Sequence, residues 1–537
     1  MRRTRIVGAS LVALLSAAVT IVASGAAAPP SGPKLTDVAR ANSKSPGYAP
    51  ASKLSAELAQ IVVAQGSTKV EDPTAQIAYY GYDNDVLTPS GDPQMVPIPG
   101  VANEAHKTEP DKNTYLVLKN GLSGADSSYD YGTHFLFQGH EGGSPGYITR
   151  INLDADAAHR VTVLATADTT GAALKTIDGS TWDPWAERLL FTTESASAPT
   201  YSATPGYPST VVDVSGALGR GGYEGIQNDS AGEIWIVEDS GGAFKGATTA
   251  KIPHSFLYRY VPRTPGDLQN GKLQVLQVLN AAGQPITQAS QTSLNSPDQL
   301  ALHTYGSSFR TRWITIHDTA TDGTTPFNAN TLANQKDGTP FKRPENGQFR
   351  PGSKFQEFYF DETGDTDATS PENANAGGWD SVFKLTQSSP TADTGQITIF
   401  YKGDQAHAGF DNVAFLSRDK VAFVEDAGDT LHTQRNALDS GYVFDVTVDY
   451  SNPANQPVRW LAEGRDASAT IDSANNGFGK NDSDNEITGI HVSDGDPSTD
   501  GILGAKAPQL FQANEKWRWF YTQQHGDNPT YEVVASG

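Results

Sequence analysis

"YEGIQNDSAGEIWIVED" (residues 223–239) and "FDNVAFLSRDKVAFVED" (residues 410–426) align without a gap. Tyr223 meets Phe410, the acids Glu224 and Asp411 coincide, and Ile226 meets Val413. A short turn follows in both, then "IWIV" and "VAFV", each closed by Glu-Asp. Self-similarity at so long a period marks a repeat architecture, in which each unit buries its apolar faces against its neighbours. Looser copies surround the pair. "THFLFQGHEGG" ends in His140-Glu141, and "DPWAERLLFTTES" carries Glu194. "SPDQLALHTYGSSFRTRWITIHD" runs from Asp298 to His317-Asp318, and "RPENGQFRPGSKFQEFYFDE" from Glu345 to Asp361-Glu362. "NEITGIHVSDGD", an inserted loop and "WRWFYTQQHG" lead from Glu486 to Gln524-His525. About six units of roughly seventy residues predict an all-β fold, a six-bladed β-propeller of four-stranded blades.

Composition agrees. The 537 residues hold 52 Gly and 32 Pro with 37% hydrophobic residues, which suits turn-rich β structure better than a helical bundle. A formal charge of −22 excludes nucleic acid as a partner, since phosphates demand a basic surface. The same charge suits a chain that collects divalent cations. There is no Cys, so stability must come from core burial or bound metal rather than disulfides.

The opening "MRRTRIVGASLVALLSAAVTIVASGAAAPP" has the parts of a secretory signal over residues 1–28: Arg2, Arg3 and Arg5, an apolar run, and small residues at Ala26–Ala28. The run approaches the length of a membrane span, but its Ala-rich exit into "PPSGP" predicts removal, leaving no stable membrane anchor. The expected location is outside the cell or in the periplasm, by the Sec or, with Arg2-Arg3, the twin-arginine route. Residues 29–104 form an N-terminal helical or irregular extension. Within it, Leu54, Leu58, Ile61 and Val62 have near-helical spacing, so residues 52–66 are predicted as a helix stopped by Gly66. Residues 105–537 form the propeller domain, expected to act as a monomer.

In a propeller the innermost strands run the same way, so the loops leading into them converge at one mouth. Glu224, Glu345 and Asp411 hold that shared position. Unpaired carboxylates so close repel, and hard cations neutralise them while gaining oxygen ligands. An acid on its own is better explained as a turn cap; the three together point to metal. "FKRPENG" (residues 341–347) reads alone as a turn, with Pro fixing φ and Gly permitting positive φ. "EDSGG" (residues 238–242) matches "EDAGD" (residues 425–429) of the repeat, so Ser240 occupies a strand-exit turn rather than a nucleophile loop.

The order "GHEGG", "DPW", "TTES", "GRGGYEG", "VEDSGG", "FLYRYV", "KRPENG", "FDN", "FVED", "NEITGI" and "YTQQHG" resembles the PhoX-type alkaline phosphatases over roughly residues 105–530. The resemblance implies a secreted β-propeller phosphatase whose site combines iron and calcium. It implies a phosphate-binding arginine at Arg343 and metal-binding acids at Glu345, Glu224 and Asp426. The family's Asn-His-Glu motif falls on Gly139-His140-Glu141, with the asparagine lost. Its iron-binding Cys falls in "IDGSTWDPW", where Asp178 is nearest. Carboxylate for thiolate favours calcium, magnesium or manganese over iron, so calcium is the expected cofactor and iron is in doubt.

The sequence therefore suggests an exported, metal-dependent hydrolase of small-molecule phosphate esters. Asp178, Glu194, Glu224, Glu345 and Asp426 would hold metal. Arg343 would clamp the phosphoryl group, and His140 or His525 would protonate the leaving group. A non-enzymatic, calcium-stabilised propeller that binds an extracellular ligand is the rival, and a lactonase- or phytase-type hydrolase a third reading.

Overall fold

A computed structural model describes residues 32–45, 50–83, 90–91, 105–244, 249–287, 296–369, 378–465, 486–512 and 516–537. The sequence motifs fall within these residues except for the signal segment, since residues 1–31 lie outside them, and Asn485, the first residue of "NEITGI".

Short strands, many of them buried along their whole length, pair as antiparallel four-stranded units laid down in chain order. The first unit is Thr114–Val117, His134–Gly139, Ile148–Asn152 and Val161–Ala165. The second runs from Ser180–Asp183 through Arg188–Phe191 and Tyr201–Ala203 to Val211–Asp213. The third comprises Tyr223–Asn228, Ile234–Glu238, Leu257–Pro262 and Gly271–Leu279; the fourth comprises Gly347–Phe349, Glu357–Glu362, Ser381–Gln387 and Thr394–Lys402. The stretch from Asp298 to Asp318 is not a unit of its own. Its strand, Phe309–Asp318, pairs with Gly271–Leu279 on one side and Thr394–Lys402 on the other, fusing the third and fourth units into one nine-stranded sheet. The number of blades thus depends on dividing that sheet.

The fifth unit is Phe410–Phe415, Lys420–Glu425, Ser440–Asp445 and Val458–Ala462, edged by Lys53–Leu54. The last contains Ile487–Ser493, Arg518–Gln523 and Thr530–Ala535, and its fourth strand is Leu58–Ala64. The helix expected over residues 52–66 is therefore two strands. Leu54, Leu58, Ile61 and Val62 fit either period, and backbone pairing with Thr530–Ala535 decides, a tertiary override of a short local pattern. The first strands of successive units touch in turn, and Ile487–Ser493 returns to Thr114–Val117, so the ring closes. The fold is a β-propeller. Among the described residues the α-helices are five short ones, accompanied by one 3-10 turn at Thr499–Gly501, and no helix is long and apolar enough to cross a membrane.

Large side chains fill the wedges between units. Trp235 packs edge-on to Trp313 and Phe349 between the third and fourth units, and Trp460 lies 4.5 Å from Trp519 between the fifth and last. Near the axis there is no room for such bulk. A Cβ on Gly179 would fall 2.1 Å from the Glu224 carbonyl oxygen, so the second unit closes on the third only with glycine there.

Candidate metal centre at the mouth of the ring

One backbone hydrogen bond recurs where the first and second strands of a unit part. Glu141 donates to the Glu109 carbonyl at 3.0 Å, Asp239 to Gly222 at 2.7 Å and Thr363 to Arg343 at 2.8 Å. Asp426 donates to Gly409 at 2.8 Å, and Gln524 to Glu486 at 2.9 Å. Two residues beyond each acceptor stand Asp111, Glu224, Glu345, Asp411 and Thr488. In the second unit Asp178 donates to Thr192 as Asp111 does to Gly139, which places Asp178 and Glu194 in the same two positions. The mouth thus carries two tiers of side chains, one where each first strand begins and one where each second strand ends. Acids fill most of both.

The acids meet in overlapping groups. Asp111, Glu141 and Asp178 form one, Asp178, Glu194 and Glu224 the next, and Glu224, Asp239 and Glu345 the third; within each, one ligand atom per residue lies within 4.8 Å of the others. Four of the five predicted metal ligands, Asp178, Glu194, Glu224 and Glu345, are therefore together. Asp426 stands outside the three groups, but its charge acts on Asp111, Asp411 and Glu486. Asp111, Glu141 and Asp239 were not singled out as ligands in the sequence. Asp239 was legible there, because it aligns with Asp426 in the repeat.

Burial, and after it the repulsion of neighbouring acids, pushes Asp178, Glu224 and Glu345 well above the usual carboxylate range, and burial raises Asp111 to about 7 against the opposing Thr488 hydroxyl and Lys112. The Oε1 atom of Glu224 is buried without a hydrogen-bond partner. Shared carboxylates with unmet oxygen capacity fit a hard cation such as calcium. They do not fit thiolate-held iron, since the chain has no Cys. The ammonium of Lys112 lies buried among the innermost acids, donating to Asn412 Oδ1 at 2.8 Å and the Ile490 carbonyl at 3.2 Å.

Arg343 stands where other units have Glu109 or Gly409, and all three share positive φ, 54° for Arg343, 49° for Glu109 and 75° for Gly409. For a residue with a Cβ this backbone costs energy and persists only where the surroundings hold it. Here the Arg343 Nε donates to Asp239 Oδ2 at 2.8 Å, and Nη2 lies 3.3 Å from Glu345 Oε1. Burial works against the guanidinium's charge, but Asp239 and Glu345 outweigh it and the net shift is upward. "FKRPENG" is a turn, and it also sets an arginine against two candidate metal-binding acids.

The two histidines part company. His140 is fully buried, its Nδ1 3.0 Å from the Thr108 hydroxyl and its Nε2 2.9 Å from that of Thr149, with Tyr147 stacked on the ring. Burial holds it neutral. Its position suits a scaffold for the next residue, Glu141, rather than contact with a ligand. His525 lies at the rim between Glu109, at 3.1 Å, and Glu486, at 3.6 Å.

The sequence model of the family described as alkaline phosphatase PhoX matches residues 248–499. The resemblance to PhoX holds. Among solved structures, Pseudomonas fluorescens PhoX in complex with vanadate, a transition state analogue, is similar with a TM-score of 0.52 and 10% identity, over 92% of this chain and 98% of that one. At that identity the likeness speaks for the PhoX fold alone. A streptogramin B lyase structure matches with a TM-score of 0.32 and 10% identity, over 81% of this chain and 95% of that one, too distant to carry an argument. No curated protein matches the chain.

Proposed function

We propose that the chain is a metal-dependent phosphatase that hydrolyses small-molecule phosphate esters at the acid-lined mouth, with calcium among its cations, exported and acting as a monomer. The observation that carries this reading is the Arg343 guanidinium, fixed by Asp239 and Glu345 at the edge of overlapping carboxylate groups. Asp178, Glu194, Glu224, Glu345 and Asp426, with Asp111, Glu141 and Asp239, are the residues to hold metal. Bound cations supply Lewis acidity toward the phosphoryl oxygens and an activated water. Arg343 binds an equatorial oxygen, for which its planar fork suits better than an ammonium. His525, between two glutamates at the rim, is the better placed histidine to give a proton to the leaving alkoxide.

One observation favours a calcium-stabilised propeller without catalysis: the positions of the family's Cys and Asn hold Asp178 and Gly139. One experiment separates the two. Purified protein is assayed with p-nitrophenyl phosphate before and after dialysis against a chelator, alongside elemental analysis and a melting curve. The phosphatase reading expects hydrolysis that the chelator abolishes, bound calcium, little iron, and a lower Tm without metal, because a cation that binds only the folded state stabilises it. Calcium with no hydrolysis supports the rival. Stoichiometric iron overturns the metal assignment.

A further inference from the structure

Beside "KRPENG" runs a second segment that none of the roles above uses. His254 donates its backbone N–H to the Phe341 carbonyl at 3.1 Å, and Phe341 donates to Ser255 at 2.7 Å, lacing residues 254–255 to the strand leading to Arg343. Three residues upstream is Lys251. Asp365 fixes two lysines there in different ways. Its Oδ2 accepts from the Lys342 ammonium at 3.1 Å, both side chains fully buried, while its Oδ1 accepts from the backbone N–H of Lys251 at 2.8 Å. Lys342 is thus committed to the fold. Lys251 is held by its backbone, and its ammonium forms no ion pair or hydrogen bond among the described residues.

That ammonium is half-buried at the mouth, and the charges acting on it are Arg343, Asp239, Glu345 and Asp365. Burial first, then repulsion by the Arg343 guanidinium, disfavours its charged form. The two acids nearest in kind, Asp239 and Glu345, already face Arg343. Two cations therefore act on one another at this edge of the mouth, and among the described residues the Lys251 ammonium has no ion pair. An anion seated between them relieves their repulsion and gives the ammonium the acceptors it lacks. The relief grows with the charge of the anion.

We propose that Lys251 is a substrate-binding residue that, with Arg343, makes the site selective for phosphomonoesters over phosphodiesters. The inference rests on the phosphatase reading. A monoester, whose second pKa is about 6, is dianionic at neutral and alkaline pH, whereas a diester carries one charge and one fewer terminal oxygen. Arg343 supplies the directional contact that either ester satisfies. Lys251, a mobile point charge, engages the additional anionic oxygen that only the monoester has.

The test compares wild type, Lys251→Ala and Lys251→Arg on p-nitrophenyl phosphate and bis(p-nitrophenyl) phosphate, with inorganic phosphate binding and metal content measured on the same samples. Lys251→Ala is expected to lose roughly ten- to a hundredfold in kcat/KM on the monoester and about threefold or less on the diester, the range for one charge-assisted contact. Phosphate binding weakens in parallel, metal content stays unchanged, and Lys251→Arg restores most of the loss. An equal loss on both esters, no loss on either, or loss of metal overturns the proposal; if Arg343→Ala still depresses hydrolysis, the phosphatase reading survives. A wild type that hydrolyses neither ester yet binds phosphate through Lys251 overturns the phosphatase reading and keeps the anion contact. A wild type that does neither overturns both.

Discussion

In strand Lys420–Glu425 the final glutamate turns into its own sheet, where both Nη atoms of Arg435 donate to it, at 3.0 and 2.9 Å, and the backbone N–H groups of Ala408 and Ser440 donate at 3.1 and 2.9 Å. Asp426, the next residue, turns to the mouth, where its charge opposes Asp111, Asp411 and Glu486. The third unit repeats the division. Glu238 accepts from Tyr258 Oη, Asn330 Nδ2 and the Phe256 N–H, and Asp239 faces Arg343. Successive side chains of a strand point to opposite faces, so one dipeptide yields a carboxylate held within its own sheet and a second one facing the charges at the opening. An acid whose oxygens are already taken by the fold stabilises it. An acid left to face other acids stores a charge that a cation can use.

Substitutions at the two kinds of acid should therefore fail differently. Glu224→Ala removes the carboxylate shared by two of the close groups and is expected to abolish metal retention and cut hydrolysis by on the order of a thousandfold or more. Asp426→Ala should do likewise, and the double variant should be little worse than either, since residues acting as one unit are non-additive. Activity surviving both changes, in an enzyme with its metal intact, would move the centre elsewhere.

Arg343→Ala is expected to keep metal and lose roughly a hundredfold in kcat/KM for a monoester, about 3 kcal/mol of transition-state stabilisation. Arg343→Lys recovers part of that, because a point charge does not reproduce the planar fork. A wild-type value for Arg343→Ala would return its loop to the class of plain turns.

The sheet-facing partner gives the opposite signature. Glu425→Ala leaves Arg435 buried beside Asp439 alone and should cost about 3–5 kcal/mol of stability, read from urea unfolding, with normal metal stoichiometry in the folded fraction. If Glu425→Ala strips metal without destabilising, the division of labour is wrong.

The smallest effect is expected at the other end of the third unit's second strand. Glu233 lies near Arg259 at 3.4 Å, yet burial raises it to about 7. A carboxyl that holds its proton more tightly when folded contributes stability below its unfolded pKa of about 4.5, and loses it as pH rises through 7. Glu233→Gln should flatten the fall in Tm between pH 5 and pH 8 by about one to three degrees for a chain of this size.

The gapless repeat carried most of what could be read in advance. Tyr223 pairs with Glu238 and Phe410 with Glu425, so aligned residues hold the same register and the shared acids share a place. Glu224, Glu345 and Asp411 were visible for that reason. Asp111 and Glu141 were less so, because the first unit introduces its strands with "EPDKNTY" rather than an apolar-acid pair of the repeat's form. Asp178 was found through a missing Cys, and Asp239 was passed over although its counterpart Asp426 was named. Residues 52–66 failed for a physical reason: a strand whose partner lies more than four hundred residues away leaves no local trace beyond apolar spacing that a helix also satisfies.

That distant pairing also sets the order of assembly. Leu58–Ala64 is synthesised early and has its backbone partner only when Thr530–Ala535 exists, and Ile61 and Val62 within it are both exposed. Five units can form as the chain grows, each against the one before. The ring itself cannot fasten until synthesis has nearly finished, and the loop it must close is almost the whole chain. The two tiers of acids, drawn from five of the six units, come to their final spacing only at that late step. Ion capture and ring closure are thus coupled, with cations favouring the fastened ring in which their ligands first stand together.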